Sequence, residues 1–320
     1  MFPSPEPIPE VRVVGAGKTD KGKKRKLNED RLVVRDDLEL YVVCDGAGGH
    51  NAGDVAAALA VRSITNYMGA TVRAAFDRPE FDRFGIPNGA RRVSAAVHKA
   101  NSDILEISRT SHQHRGMGTT CVATSFTPRS GLIHVAHVGD SRCYRLRAGH
   151  LELLTQDHSL LTDVVENRPE LDDTMLERLP RNIITRALGV DPDLRVSVRS
   201  YAVVEADRYL LCSDGLYASI PGSLLATILK ENRDSEAAID RLVAAANDAG
   251  GPDNITAVVI DCTTGPDIAL PSGLSAPPPV PIDAYLADPE LLILGLEDID
   301  LDDTASDELL NSLGELFARK

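Results

Sequence analysis

The chain has 320 residues, 43% of them hydrophobic, enough to bury one large core or two average ones. Trp is absent and aromatics make up only 4%, so Val, Leu, Ile and Ala must fill that core. A formal net charge of −14 disfavours nucleic acid as a partner, since phosphate neutralisation needs a basic face, and no apolar run is long enough for a membrane-spanning helix.

The opening MFPSPEPIPE has neither a basic start nor an apolar stretch, so no secretory signal is expected. Short apolar runs bounded by turn residues then predict strands: RLVVRDD, LELYVVCD, TTCVATSF, GLIHVAHVGD, RCYRLRAG, DRYLLCSDG and NITAVVIDC. Arg147 to His150 predicts a hairpin turn. Helical spacing predicts helices over 53–68, 89–109, 222–230 and 235–249. Strands mostly neighbour strands in this order, which favours an antiparallel α+β arrangement over a doubly wound parallel sheet. Residues 157–196 mix short helix signals with charges and prolines, as a surface flap would. The run KTDKGKKRK at 18–26 reads as a solvated loop.

A boundary falls near residue 265. Residues 265–288 are Pro-rich and read as a linker. Residues 289–320 form an acidic tail ending in an amphipathic pattern of Leu309, Leu310, Leu313, Leu316 and Phe317. Twelve acidic and two basic residues lie between Gly265 and Lys320, so ten of the fourteen net negative charges sit there. Such a tail could pack on its own domain, dock a partner, or inhibit the site by mimicking an acidic substrate. The five cysteines show no CxxC pair and lie mostly in strand-like runs, which points to buried free thiols in a reducing cytoplasm rather than a zinc site.

One pattern recurs along residues 1–264. Strand-like runs end in, or follow, an acidic residue beside glycine: Asp45-Gly46, Gly139-Asp140, Asp214-Gly215 and Gly251-Pro252-Asp253, with Glu29-Asp30 opening the strand RLVV. Each alone reads as a turn, because Asp and Gly dominate turns. Together they suggest carboxylates meeting at one rim of a sheet, and such a cluster needs cations to stay ionised. Oxygen-rich, His-poor sets suit magnesium or manganese. Arg25, four residues before Glu29, could grip an anionic substrate. His112 and His114 read as loop residues rather than ligands, and Ser159 has no nucleophile elbow around it.

Seven stretches in order carry a closer match: RKLNED, VVCDGAGGH, GMGTTCVA, HVGDSRCYRLRAGHLELLTQDHSL, NIITRALG, LLCSDGLY and GGPDNITAVVI. In these the chain resembles the bacterial form of the metal-dependent protein serine/threonine phosphatases of type 2C, the PPM family. The resemblance implies a four-layer αββα sandwich, with two central antiparallel sheets flanked by helices, and residues 1–264 as the catalytic domain. It implies two Mn2+ or Mg2+ ions, with Asp45 bridging them, the Gly46 carbonyl on one, and Asp214 and Asp253 on the other. Glu29 would hold a metal or its water, and Asp140 with Asp214 would make a weaker third site. Arg25 would bind the phosphoryl group, and a metal-bridging hydroxide would attack phosphorus in line. The implied partners are phosphorylated proteins, a serine/threonine kinase whose action is reversed, and its substrates, in a bacterial cytoplasm.

One position departs from the pattern. Many eukaryotic members carry His two residues after the bridging Asp, where this chain has Ala47. The proton for the leaving alkoxide would then come from metal-bound water or from His50. Two rival readings are a scaffold that keeps the fold without catalysis and a hydrolase of small phosphate esters. Asp45, Asp214 and Asp253 all remain, which argues against the scaffold.

Overall fold

A computed structural model of the chain describes residues 11–47, 52–76, 79–168, 173–176, 179–180 and 183–264. The chain opens with β1 (Val11–Asp20), β2 (Arg31–Arg35), β3 (Leu40–Cys44) and the two-residue β4 (Gly46–Ala47). Two long helices follow, α1 (Ala52–Phe76) and α2 (Asn88–Thr110). Then come β5 (Gly118–Thr119), β6 (Cys121–Thr127), β7 (Leu132–Val138), β8 (Arg142–Arg147) and β9 (His150–Leu153). Short helices α3 (Leu160–Asn167) and α4 (Asp173–Leu176) precede β10 (Ser197–Ala202) and β11 (Arg208–Cys212). The described part ends with α5 (Asp214–Tyr217), α6 (Gly222–Glu231), α7 (Ser235–Asp248) and β12 (Ile255–Thr264).

Two five-stranded antiparallel sheets result. One has the order β1-β12-β11-β8-β9 and the other β10-β7-β6-β3-β2. Period-two alternation decides how they stack. In β3, Tyr41 and Val43 point into a core shared with Val122, Ile133, Val135, Tyr209, Leu211, Val258 and Ile260. Leu40, Val42 and Cys44 point the other way, into a cluster with α1 and α2. On the second sheet, Leu210, Cys212, Ala257 and Val259 face α6 and α7. Strands covered on both faces read as continuous apolar runs, which is why all five β3 residues are buried. The layers are helix, sheet, sheet, helix, as expected.

The predicted strands and four predicted helices are all present, and α1 runs eight residues beyond its expected end. The hairpin turn is also there: Ala148 and Gly149 both have positive φ, 49° and 82°, as a two-residue I′ turn requires. In the two large sheets, β1 and β10 went unread, as did the two-residue β4 and β5 outside them. β1 spends only Val11 and Val13 on the core before turning polar, and β10 buries residues only in part. The charge run at 18–26 is a solvated loop only from Lys21 onward; Lys18, Thr19 and Asp20 pair with β12 as strand. Lys18 reaches Asp240 at 2.6 Å, though both are exposed. All five cysteines are buried and free. The linker and the acidic tail, residues 265–320, lie outside the described residues.

Candidate metal centre

Strand register brings the acidic turns to one end of the sandwich. In the β2–β3–β6–β7 sheet, Arg31 opposes Cys44 and Cys121 opposes Val138. Residues 29–30, 45, 120 and 139–140 therefore share one edge. In the other sheet, Cys212 opposes both Ala257 and Arg142, so 213–214, 253–254 and 140–141 share an edge too. A buried bridge joins the two: Asp30 Oδ2 accepts from Ser213 Oγ at 2.8 Å and from Thr256 Oγ1 at 2.6 Å.

Asp45 is held by its backbone. Its N–H donates to Thr120 Oγ1 at 3.1 Å, and its carbonyl accepts from Thr120 N at 2.9 Å and Thr119 Oγ1 at 2.8 Å. Thr120 Oγ1 is also 2.7 Å from Ser141 Oγ, beside Asp140. The GMGTTC stretch thus positions Asp45 rather than acting on a substrate. Gly46 sits where two backbones cross: a Cβ there would overlap Gly53 O and lie 2.8 Å from Glu29 O. Gly215 is as tight, because a Cβ on it would overlap Asn254 O, and this sets the Asp214 turn against the Asp253 turn.

Glu29 is placed by Asn254. Asn254 Oδ1 accepts from Glu29 N at 2.9 Å, and its amide donates to Lys21 O and Leu27 O, each at 2.9 Å. Arg25 reaches across the same end, with Nη2 2.6 Å from Asp253 Oδ2. Desolvation lowers the Arg25 pKa, but Asp253, and then Asp45 and Asp214, outweigh it and leave the guanidinium more firmly charged than usual. Asp140 lies near Asp214 by way of Tyr217, whose phenol is pushed up by burial and by both carboxylates. Arg142 stacks over the Tyr217 ring at 3.7 Å and pairs with Asp157.

All seven residues singled out from the sequence, Arg25, Glu29, Asp45, Gly46, Asp140, Asp214 and Asp253, therefore belong to this end of the molecule. Among the described residues, no three His, Cys, Asp or Glu side chains close on one point at ligand spacing, and Arg25 stands between the carboxylates. The donor set still fits a hard divalent ion, being made of carboxylate and carbonyl oxygens without sulfur. A buried orphan acceptor supports the fit: Asp30 Oδ1 has no hydrogen-bond partner. The sequence marks Asp30 as half of the Glu29-Asp30 pair but gives it no role of its own. Burial, opposed by Thr256 and Ser213 and reinforced by Asp214 and Asp253, pushes its carboxyl up to about 6. Its adjacency to Glu29 was the only available sign. Ala47 is buried and pairs with Gly118, and its methyl group has no proton to give. His50 lies outside the described residues.

His112 to His114 form a short 3-10 turn, and Ser159 caps α3 by accepting from Thr162 N. Neither is part of the cluster. The flap residue His158 packs beside it: its Nδ1 accepts from Gly139 N at 3.1 Å, one residue before Asp140, and its ring stacks on His137 at 4.6 Å.

The sequence pattern of the family described as Protein phosphatase 2C matches residues 19–259. The chain belongs to the protein phosphatase 2C family. Among its 2C relatives is the serine/threonine phosphatase stp of Listeria monocytogenes serotype 4b (strain F2365), 33% identical over 247 residues, covering 76% of this chain and 94% of stp. The crystal structure of the Mycobacterium tuberculosis serine/threonine phosphatase PstP/Ppp matches with a TM-score of 0.67 and 30% identity, over 78% of this chain and 98% of that one. A PstP catalytic domain in complex with two manganese ions matches at 0.65 and 30%, over 79% and 99%. As a 2C phosphatase the chain is an enzyme of that class, and its two-sheet α+β sandwich is the fold of these neighbours. Among the described residues no helix is long and apolar enough to cross a membrane.

Proposed function

We propose that this 2C phosphatase hydrolyses phosphoserine and phosphothreonine in proteins and so opposes serine/threonine kinases. The observation that carries this reading is Arg25, a fully charged guanidinium set among Asp45, Asp214 and Asp253 at one end of the sandwich. An anion-binding cation inside a carboxylate cluster suits a site that takes a phosphoryl group alongside bound cations.

Asp45, the Gly46 carbonyl, Glu29, Asp214 and Asp253 would hold two Mn2+ or Mg2+ ions, and Asp140 with Asp214 a third. When bound, the ions would neutralise phosphoryl charge and make a water nucleophilic near neutral pH. Arg25 would turn from Asp253 toward two phosphoryl oxygens, orienting phosphorus for in-line attack. Thr119 and Thr120 keep the Asp45 backbone in place during the reaction, and Asn254 keeps Glu29 there. Ala47 donates no proton, which leaves water or His50 to protonate the alkoxide. Residues 1–264 would be the catalytic unit, 265–288 a linker, and 289–320 a segment that docks a partner or regulates the site. The setting would be a bacterial cytoplasm.

The deciding experiment is manganese-dependent phosphate release from phosphothreonine peptides, comparing wild type with Asp214→Ala. Activity that needs Mn2+ and collapses in the variant is expected. A wild type with no metal-dependent activity would sink the reading in favour of a scaffold.

A further inference from the structure

Two of the five cysteines are built into the fold beside the candidate centre. β3 and β6 are antiparallel with Val43 opposite Val122, and one further step of that register sets Cys44 opposite Cys121. The hydrogen-bond alternation shows what kind of pair this is. Phe126 N donates to Glu39 O at 3.0 Å, and Thr120 N donates to Asp45 O at 2.9 Å. Pairs 39/126 and 45/120 are thus the hydrogen-bonded ones, and every second pair between them is not. Cys44 and Cys121 form a non-hydrogen-bonded pair, in which Cα atoms lie about 4.5 Å apart and side chains come closest. A disulfide spans Cα separations of about 4.4–6.8 Å.

Both side chains are fully buried in the cluster between this sheet and helices α1 and α2. The other cysteines have no such opposite number: Cys143 faces Leu211, Cys212 faces Ala257 and Arg142, and Cys262 faces Val13.

We propose that Cys44 and Cys121 are a reversible modification site, oxidised by hydrogen peroxide to a cross-strand disulfide that adjusts the Asp45 backbone. One thiol sulfur attacks a peroxide oxygen, giving a sulfenic acid and one water. The second sulfur displaces the sulfenic oxygen as another water and closes the S–S bond. The two thiols lose two electrons and two protons, the peroxide accepts them, and a thiol reductant reverses the step. Full burial admits only a small oxidant and makes the reaction slow.

The consequence reaches the centre along two peptide bonds. Cys44 precedes Asp45, Cys121 follows Thr120, and Asp45 and Thr120 are joined by two hydrogen bonds. The cysteine pair starts at the short end of the disulfide range, whose usual Cα separation is about 5.5–6 Å, so closing the bond draws the strands apart one residue away and shifts Asp45 against Thr120. That effect rests on the assignment of Asp45 to the metal centre; the disulfide itself does not.

The test treats the full chain with hydrogen peroxide, alkylates the remaining thiols and maps the peptides by mass spectrometry. A Cys44–Cys121 linked peptide is expected, absent from Cys121→Ala and lost on reduction. Cys44→Ala serves as the second variant if Cys121→Ala does not fold. Mn2+ titration by calorimetry is expected to show about tenfold weaker binding after oxidation, restored by reductant and unaffected by peroxide in the variant. Linkage between other cysteines, or none, overturns the modification site. A Cys44–Cys121 linkage with unchanged Mn2+ affinity overturns the coupling to Asp45. A reduced wild type that binds no Mn2+ fails the metal assignment, while the peptide map still decides the modification site.

Discussion

Arg25 Nη2 lies 2.6 Å from Asp253 Oδ2, and each side chain is about a quarter to a third exposed (30% and 25%). The pair gives Asp253 a counter-charge, and in the proposed function the guanidinium turns from it to an incoming phosphoryl group. Arg25→Ala should lower kcat/KM on a phosphothreonine peptide by about ten- to a hundredfold, the worth of a hydrogen bond to a charged group. Arg25→Lys should recover little, since a point charge cannot make two parallel bonds. Steady-state kinetics at saturating Mn2+ check this, and a variant with wild-type kcat/KM would remove Arg25 from substrate binding.

Asn254 makes three hydrogen bonds to the loop between β1 and β2. Asn254→Ala should cost about 2–4 kcal/mol, at roughly 1 kcal/mol per bond plus the groups left unsatisfied. Urea unfolding measures the loss. Hydrogen exchange should speed up locally over residues 21–29, where the freed amide of Glu29 lies.

Asp30 is a buried acceptor for Ser213 and Thr256, placed between the two sheets. Asp30→Ala should destabilise the fold by about 1–3 kcal/mol, because two buried hydroxyls lose their acceptor. It should also weaken Mn2+ binding by about 10- to 100-fold, as loss of a group behind the ligands does. Thermal unfolding and Mn2+ titration separate the two effects. Unchanged metal affinity with lowered stability would make Asp30 purely structural.

His137 and His158 give the fold an acid-sensitive side. Burial lowers His137 from 6.5 to about 4, against the pull of Gln156 and Asp157. Burial, His137 and Arg186 lower His158 from 6.5 to about 2. Both therefore bind protons more readily unfolded than folded. Their neutral forms cost nothing above about pH 6.5; below it the unfolded chain gains protons first, and stability falls steadily toward pH 4. Denaturation midpoints between pH 7.5 and 4.5 should decline, and His137→Phe with His158 intact should flatten the slope. An unchanged slope would assign the acid sensitivity elsewhere.

The strands and helices that bury a regular face were legible in the sequence, because period two and period 3.6 are local properties. β3, β6, β7, β11 and β12 announce themselves as apolar runs, and α1, α2, α6 and α7 as stripes. β1 and β10 were not legible, since each carries few buried residues and is a strand chiefly because a neighbour offers it a ladder. The acidic turns could be read one by one, along with Arg25 four residues before Glu29. By itself the sequence determined which acidic turns and which guanidinium are present, and that Ala47 could not supply a proton. Only the tertiary structure decided that those turns meet, because antiparallel register places 29–30, 45, 140, 214 and 253 at one end of two different sheets. It also decided what no spacing reveals: that Asp30 is buried between Ser213 and Thr256, and that Cys44 lies across from Cys121. Such contacts join residues about 75 to 225 positions apart, and they exist only once the two sheets are packed.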